Sequence, residues 1–183
     1  MALLAEEIVE EWLNRDGWFT IRGIKIGVQE IDILALKPSP EAGILCRHVE
    51  VQASFNPVGY LTKIPKAKRK LGESASNARQ RTESELQESV AAWIQQKFDH
   101  PLKVAQRMTL HNGEWSRELV VHTLRHPEEK EVIRRAGIIV HELATLIENF
   151  RQGNHIVRRA AGADFVELVT GFDLSEGDAT IEE

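Results

Sequence analysis

From Trp18 to Ser54 the chain repeats a period-two pattern three times with little between the repeats: "WFTIRGIKIG", "VQEIDILALK" and "ILCRHVEVQAS". Successive side chains of a strand point to opposite faces, so this alternation predicts three strands. Only "PSPEAG", residues 38–43, interrupts the last two. Links this short suit neighbouring antiparallel strands, because a parallel return needs a dozen or more residues. Ahead of them, residues 3–15 place Ala5, Ile8, Val9, Trp12 and Leu13 on one helical face. Gly17 follows as a C-terminal cap. The predicted nucleus is one amphipathic helix packed on a three-stranded antiparallel meander.

The rest of the chain is less strongly patterned. Residues 56–82 are rich in Lys, Arg, Ser and Asn and are predicted to be a mobile basic loop. In "ESELQESVAAWIQQKF", Leu86, Val90, Trp93, Ile94 and Lys97/Phe98 follow the helical period, and Pro101 follows its end. "KVAQRMTL" and "WSRELVVHTL" flank Asn112-Gly113, which predicts a hairpin. "HPEEKEVIRRAG" predicts a short helix with Pro127 near its start and Gly137 at its end. "GIIVHEL" predicts a buried strand that runs into a helix through about Arg151. A helix is expected around "ADFVELV", and residues 172–183 are expected to form a disordered acidic tail. All 183 residues are read as a single mixed α/β domain.

Apolar residues make up 42% and charged residues 28% of the chain, as in ordinary globular domains. No apolar run approaches the ~18 residues of a membrane span. "MALLAEEIVEEW" lacks the basic start of a signal peptide. The single cysteine, Cys46, rules out an internal disulfide and is expected to be a buried thiol, so a cytoplasmic location is predicted. The net charge of −5 argues weakly against non-specific nucleic-acid binding. That average hides Lys63, Lys66, Lys68, Arg69, Lys70, Arg79 and Arg81, which have only Glu73 among them.

Two of the strand-like runs carry an acid on the face opposite their apolar residues. Ile31, Ile33 and Ala35 share one face and Asp32 points to the other. Val49 and Val51 share a face, while His48, Glu50 and Gln52 point away together. If the strands are neighbours, Asp32 and Glu50 lie side by side, about 5 Å apart. Adjacent carboxylates repel, and a divalent cation would offset that. Hard oxygen ligands favour Mg²⁺ or Mn²⁺ over zinc. Solvent-facing acids on an antiparallel sheet are the plainer alternative. Of Glu6, Glu7, Glu10 and Glu11 on the first helix, Glu6 is nearest the apolar face, and the others are expected to point further toward solvent.

"AEEIVEEWLNRDGWFTI", "EIDILAL" and "HVEVQAS", in that order, resemble the PD-(D/E)XK nuclease superfamily, which includes restriction enzymes and Holliday junction resolvase-like proteins. The resemblance covers roughly residues 3–54. It implies a restriction endonuclease-like fold with an αβββαβ core and a central mixed sheet flanked by helices. It also implies metal-dependent cleavage of phosphodiester bonds in DNA. Glu6, Asp32, Glu50 and Gln52 would be the catalytic set. Mg²⁺ or Mn²⁺ would be held by Asp32, Glu50, the Val51 carbonyl and Glu6. The basic residues of segment 63–81 would contact phosphates.

Gln52 departs from the pattern, since the family places lysine there. Gln52 is neutral but still donates a hydrogen bond. Lys37 and Lys63 are candidates to supply the missing charge from elsewhere. The competing readings are a nuclease-fold module that has stopped cutting and binds nucleic acid or a protein partner, and a generic α/β domain. A homodimer through the expected hairpin is a further expectation. "HELAT" at His141 lacks the second histidine of a zinc-protease motif. His48 is expected to bond a neighbour within the sheet.

Overall fold

Helix α1 (Ala2–Arg15) stops at a Schellman-type cap. The Trp18 N–H donates to the Leu13 carbonyl at 3.0 Å and the Gly17 N–H to that of Asn14 at 3.0 Å. Gly17 has φ +82°, which only glycine adopts without a Cβ penalty. The structure, a computed structural model, describes residues 2–54, 59–65, 69, 79–151 and 156.

The three alternating runs form β1 (Phe19–Ile26), β2 (Gln29–Ser39) and β3 (Gly43–Gln52). β1 pairs antiparallel with β2, and β2 with β3. The pairing of Ile26 with Gln29 leaves Gly27-Val28 as a two-residue turn, with Gly27 at φ +61°. After them come α2 (Glu83–Lys97), α3 (Pro101–Leu110), β4 (Ser116–Val121), α4 (Pro127–Arg135), β5 (Ile139–Glu142) and α5 (Leu143–Arg151). The five strands lie in the order β1-β2-β3-β4-β5, and the β3–β4 and β4–β5 pairs are parallel. The class is α+β, with a mixed sheet flanked by helices.

Each face of the sheet has its own core. Ile33, Ala35, Val49, Val51 and Val120 meet Ala5, Ile8, Val9 and Leu13 of α1, and Leu146 and Phe150 of α5. On the other face, Leu119 and Val121 meet Leu86, Val90, Trp93 and Ile94 of α2, with Val132 and Ile133 of α4. No helix among the described residues is long and apolar enough to cross a membrane.

Several expectations need correction. There is no hairpin at Asn112-Gly113: "KVAQRMTL" belongs to α3, and Asn112-Gly113 lies in the connection to β4. Pro101 stops α2 and also starts α3 at its first turn, while the His100 side chain accepts from the Leu102 N–H. A crossover of this kind is what a parallel β3–β4 pair requires. The segment expected to carry a homodimer contact is therefore a helix and a connection, not a hairpin. β5 is an edge strand, and Ile139 is 50% exposed instead of buried. Glu11 does not face solvent: it is 1% exposed and accepts from Arg15 Nε at 2.7 Å. The cause is α5, whose Phe150 ring lies under the Arg15 guanidinium. Cys46 is buried, as expected. The expected helix around residues 163–169 and the acidic tail lie outside the described residues, as do Lys66, Lys68 and Lys70.

Candidate active site

β2 and β3 part company at the two acids. Their ladder ends at Ile33↔Val49, although β2 begins at Gln29 and β3 continues to Gln52. Each keeps its outer partner: β2 stays paired with β1 to Gln29, and β3 with β4 to Gln52. Asp32 and Glu50 are the next residues in the interrupted register. The Val51 N–H donates to Asp32 Oδ2 at 2.7 Å, so a side chain satisfies it where the ladder has stopped. A buried backbone donor left bare would cost stability, and Asp32 answers that need. The split forms a notch with one carboxylate on each lip.

Glu50 is fully buried and densely bonded. Its Oε1 accepts from His48 Nε2 at 3.0 Å and from Lys103 Nζ at 2.7 Å. Its Oε2 accepts from Lys97 Nζ at 2.7 Å. Burial alone would raise its carboxyl. The hydrogen bond from His48 and the charges of Lys97 and Lys103 outweigh that and hold it down at about 2. Arg107 Nη1 donates to His48 Nδ1 at 2.9 Å, so the His48 proton sits on Nε2 and points at Glu50. Burial pushes the His48 imidazole below its usual range, which keeps it neutral.

Asp32 is in the opposite state. Burial, then the neighbouring Glu50 charge, push its carboxyl up to about 7, and the Val51 hydrogen bond and Lys97 only partly oppose them. The two lysines neutralise Glu50 but leave Asp32 undercompensated. The repulsion expected between the acids is therefore offset in part by the protein's own cations.

The remaining sequence candidates divide clearly. Glu6 lies on α1, which packs on the opposite face of the sheet from Asp32 and Glu50. Among the described residues it bonds to neither acid, but it lies within electrostatic reach of both: its charge helps raise Asp32, and the Glu50 charge helps raise Glu6. Burial raises its carboxyl, Arg22 opposes this, and Glu30 and Glu50 add to it. Gln52 ends β3, half-buried, on the Glu50 face. Val51 contributes its N–H, and its side chain is in the core.

Among the described residues, neither lysine named from the sequence bonds to Asp32 or Glu50. Lys37 donates to the Asp16 carbonyl at 2.6 Å, and Lys63 is exposed. Lys97 and Lys103 hold the positions instead. Lys97 follows Leu86, Val90 and Trp93 along the apolar row of α2, so a charge on that row was the legible signal. Lys103 and Arg107 stand one turn apart on the buried face of α3, where strand alternation would not bring them together.

The described basic residues are not equally free. Arg81 is 7% exposed, lies over the Tyr60 ring and donates to Thr62, so it is not available to a phosphate. Arg79 makes a two-pronged pair with Glu85. Arg69 donates to the Ile64 carbonyl. The segment's near foot is fastened to α4, since Glu129 accepts from the N–H groups of Leu61 and Thr62 and from the Thr62 hydroxyl.

Among the described residues, no group of three or more His, Cys, Asp or Glu side chains is arranged to hold a metal ion. Mg²⁺ does not need such a group, because it keeps several waters and commonly binds through one or two carboxylates plus substrate phosphate. Asp32 is an undercompensated carboxylate, and Glu50 Oε2 has one bond, so a lone pair remains. These two residues fit a hard divalent cation.

No family model matches the chain. No curated protein matches it either. A solved structure described as a protein of unknown function, AF1548, aligns with 81% of this chain at 14% identity and a TM-score of 0.44. The chain spans 66% of that structure's length, and at this level the likeness does not bear on function.

Proposed function

We propose that the chain is a metal-dependent endonuclease with a restriction endonuclease-like fold, hydrolysing phosphodiester bonds in DNA. The observation that carries this reading is the notch itself: Asp32 and Glu50 at a split in the sheet, with the Lys97 ammonium 2.7 Å from Glu50. Asp32 and Glu50 would hold Mg²⁺ or Mn²⁺, which when bound activates water and neutralises charge building on the phosphate. Lys97 supplies the positive charge that Gln52 lacks. It comes from a helix end and not from the strand, and it is partly solvent-exposed, so it can turn toward a phosphate oxygen or an attacking water. Gln52 offers a neutral amide donor on the same face of β3 as Glu50. His48 holds Glu50 in orientation. Lys63, with Lys66, Lys68 and Lys70 beyond the described residues, remains the proposed phosphate contact.

A second reading has one specific observation in its favour. Both oxygens of Glu50 already carry protein cations, as a site kept for stability would. On that reading the chain binds nucleic acid or a protein partner without cutting.

Purified protein incubated with plasmid, single-stranded and branched DNA and Mg²⁺ or Mn²⁺ separates the two. The nuclease reading expects cleavage that chelator stops and that Asp32→Ala reduces by at least about 100-fold, the scale of losing a charge-stabilising group at a reacting centre. Cleavage unaffected by Asp32→Ala, or none on any substrate, contradicts it.

A further inference from the structure

We infer that a cavity beside the notch takes an unpaired guanine base of the DNA strand that lies at the acids, read by Glu142 and Lys130. This rests on the nuclease reading above and adds the substrate class, a strand that is single or locally unpaired.

The cavity, about 310 Å³, lies at the carboxyl ends of β4 and β5, and its lining includes Val121, His122, Leu124, Pro127, Lys130 and Glu142. It continues the notch along one row of the sheet. Gln52 pairs with Val121, and Val121 with Glu142. Val121 and Val140 pack in the core beneath α2 and α4, as does Leu119, the register partner of Glu50. Side chains two apart on a strand share a face, so Gln52, Val121 and Glu142 all stand on the Glu50 face. Gln52 is roughly 7 Å along β3 from Glu50 and β4 is about 4.8 Å to its side, which puts Val121 roughly 8 Å from Glu50, backbone to backbone. Adjoining nucleotides of one strand cover that span.

The lining suits a flat ring with one polar edge. Val121, Leu124 and Pro127 offer apolar surface to its faces. The Lys130 ammonium donates to Glu142 Oε1, and among the described residues Oε2 accepts from nothing. That ammonium holds the Glu142 carboxyl below its usual range, so Glu142 only accepts while Lys130 only donates. Both side chains reach solvent, at 50% and 21% exposure, so neither serves the core. The Watson–Crick edge of guanine is their complement: N1–H and N2–H donate to the carboxylate, and the adjoining O6 accepts from the ammonium. The ion pair need not open, since the ammonium has further N–H groups and each carboxylate oxygen a further lone pair. Adenine, cytosine and thymine lack two adjacent N–H groups on that edge and leave a carboxylate oxygen without a partner. In a duplex cytosine occupies the edge, so only an unpaired guanine can be read this way.

Fluorescence anisotropy of thymidine strands with a single central dG, dA or dC tests this in Ca²⁺, which fills oxygen sites with looser geometry than Mg²⁺. The full chain is expected to bind the dG strand about 10-fold more tightly than the other two, the scale of one base-reading contact. Glu142→Gln turns one acceptor into a donor; it is expected to bring the three strands within about twofold of one another and to leave the dA strand's affinity unchanged. Equal affinities for wild type, no binding of any strand, or a dG preference that survives Glu142→Gln overturns the guanine pocket. Plasmid cleavage then judges the nuclease reading separately: cutting leaves it standing, and its absence overturns that reading too. Free dGMP is expected to bind more weakly than the dG strand. Binding of dGMP as tight as that of the strand would assign the cavity to a free nucleotide and overturn its place on the strand at the acids.

Discussion

Asp32 carries its charge against its surroundings, and this has a measurable cost. In the unfolded chain its carboxyl titrates near 3.8, and in the folded protein near 7. Between those values the folded state holds a proton the unfolded state has released, so this group's contribution to stability falls as pH rises through that window. Asp32→Asn keeps an acceptor for the Val51 N–H and removes the charge. In chelator at pH 8 it is expected to raise stability to urea by up to about 4 kcal/mol, and below about pH 3, where both forms are neutral, to change little. Equal or lower stability of the variant at pH 8 would contradict the Asp32 environment described above. The two acids were legible in the sequence because strand alternation fixes which residues share a face. Lys97 was visible as a charge on an apolar row, but what it faces depends on how α2 returns over the sheet. Lys103 and Arg107 were not legible, because charged residues on the buried face of a helix run against the amphipathic pattern.

Helix α3 turns its amphipathic pattern inside out, with Lys103 and Arg107 buried and Leu102 and Met108 nearly half exposed. A charged inner face is stable here only because Glu50, His48 and Asp99 wait beneath it. Periodicity assumes apolar residues face inward, and this helix violates that assumption. The Pro101 start signal was the better guide. Elsewhere the local rules held. Gly17 illustrates one: its positive φ closes α1 and aims the chain into β1. Gly17→Ala is expected to cost about 1–2 kcal/mol in denaturant unfolding from the left-handed backbone alone. No measurable change would argue against the cap geometry.

For the whole molecule, the sequence was informative where contacts are local and weak where they are not. The helix and meander from Ala2 to Gln52 follow from short-range patterning, and the structure agrees. The parallel half does not. β3 meets β4 only after the chain has run through α2 and α3, so no sequence-local signal announces the pairing. Strand β3 is where the antiparallel half becomes parallel, and the notch lies on its antiparallel side. The β2–β3 split places Asp32 on one lip and Glu50 on the other, while the returning helices deliver Lys97 and Lys103. On this account the cation that a strand residue would have supplied at position 52 reaches Glu50 from α2 instead. Single-turnover cleavage of branched or plasmid DNA by wild type, Lys97→Met and the double variant Lys97→Met/Gln52→Lys tests this most directly. The account predicts that Lys97→Met loses about 100-fold or more in rate, and that adding Gln52→Lys restores a substantial part of it. Wild-type cleavage that Lys97→Met leaves unchanged, or no cleavage by wild type on any substrate, would contradict it.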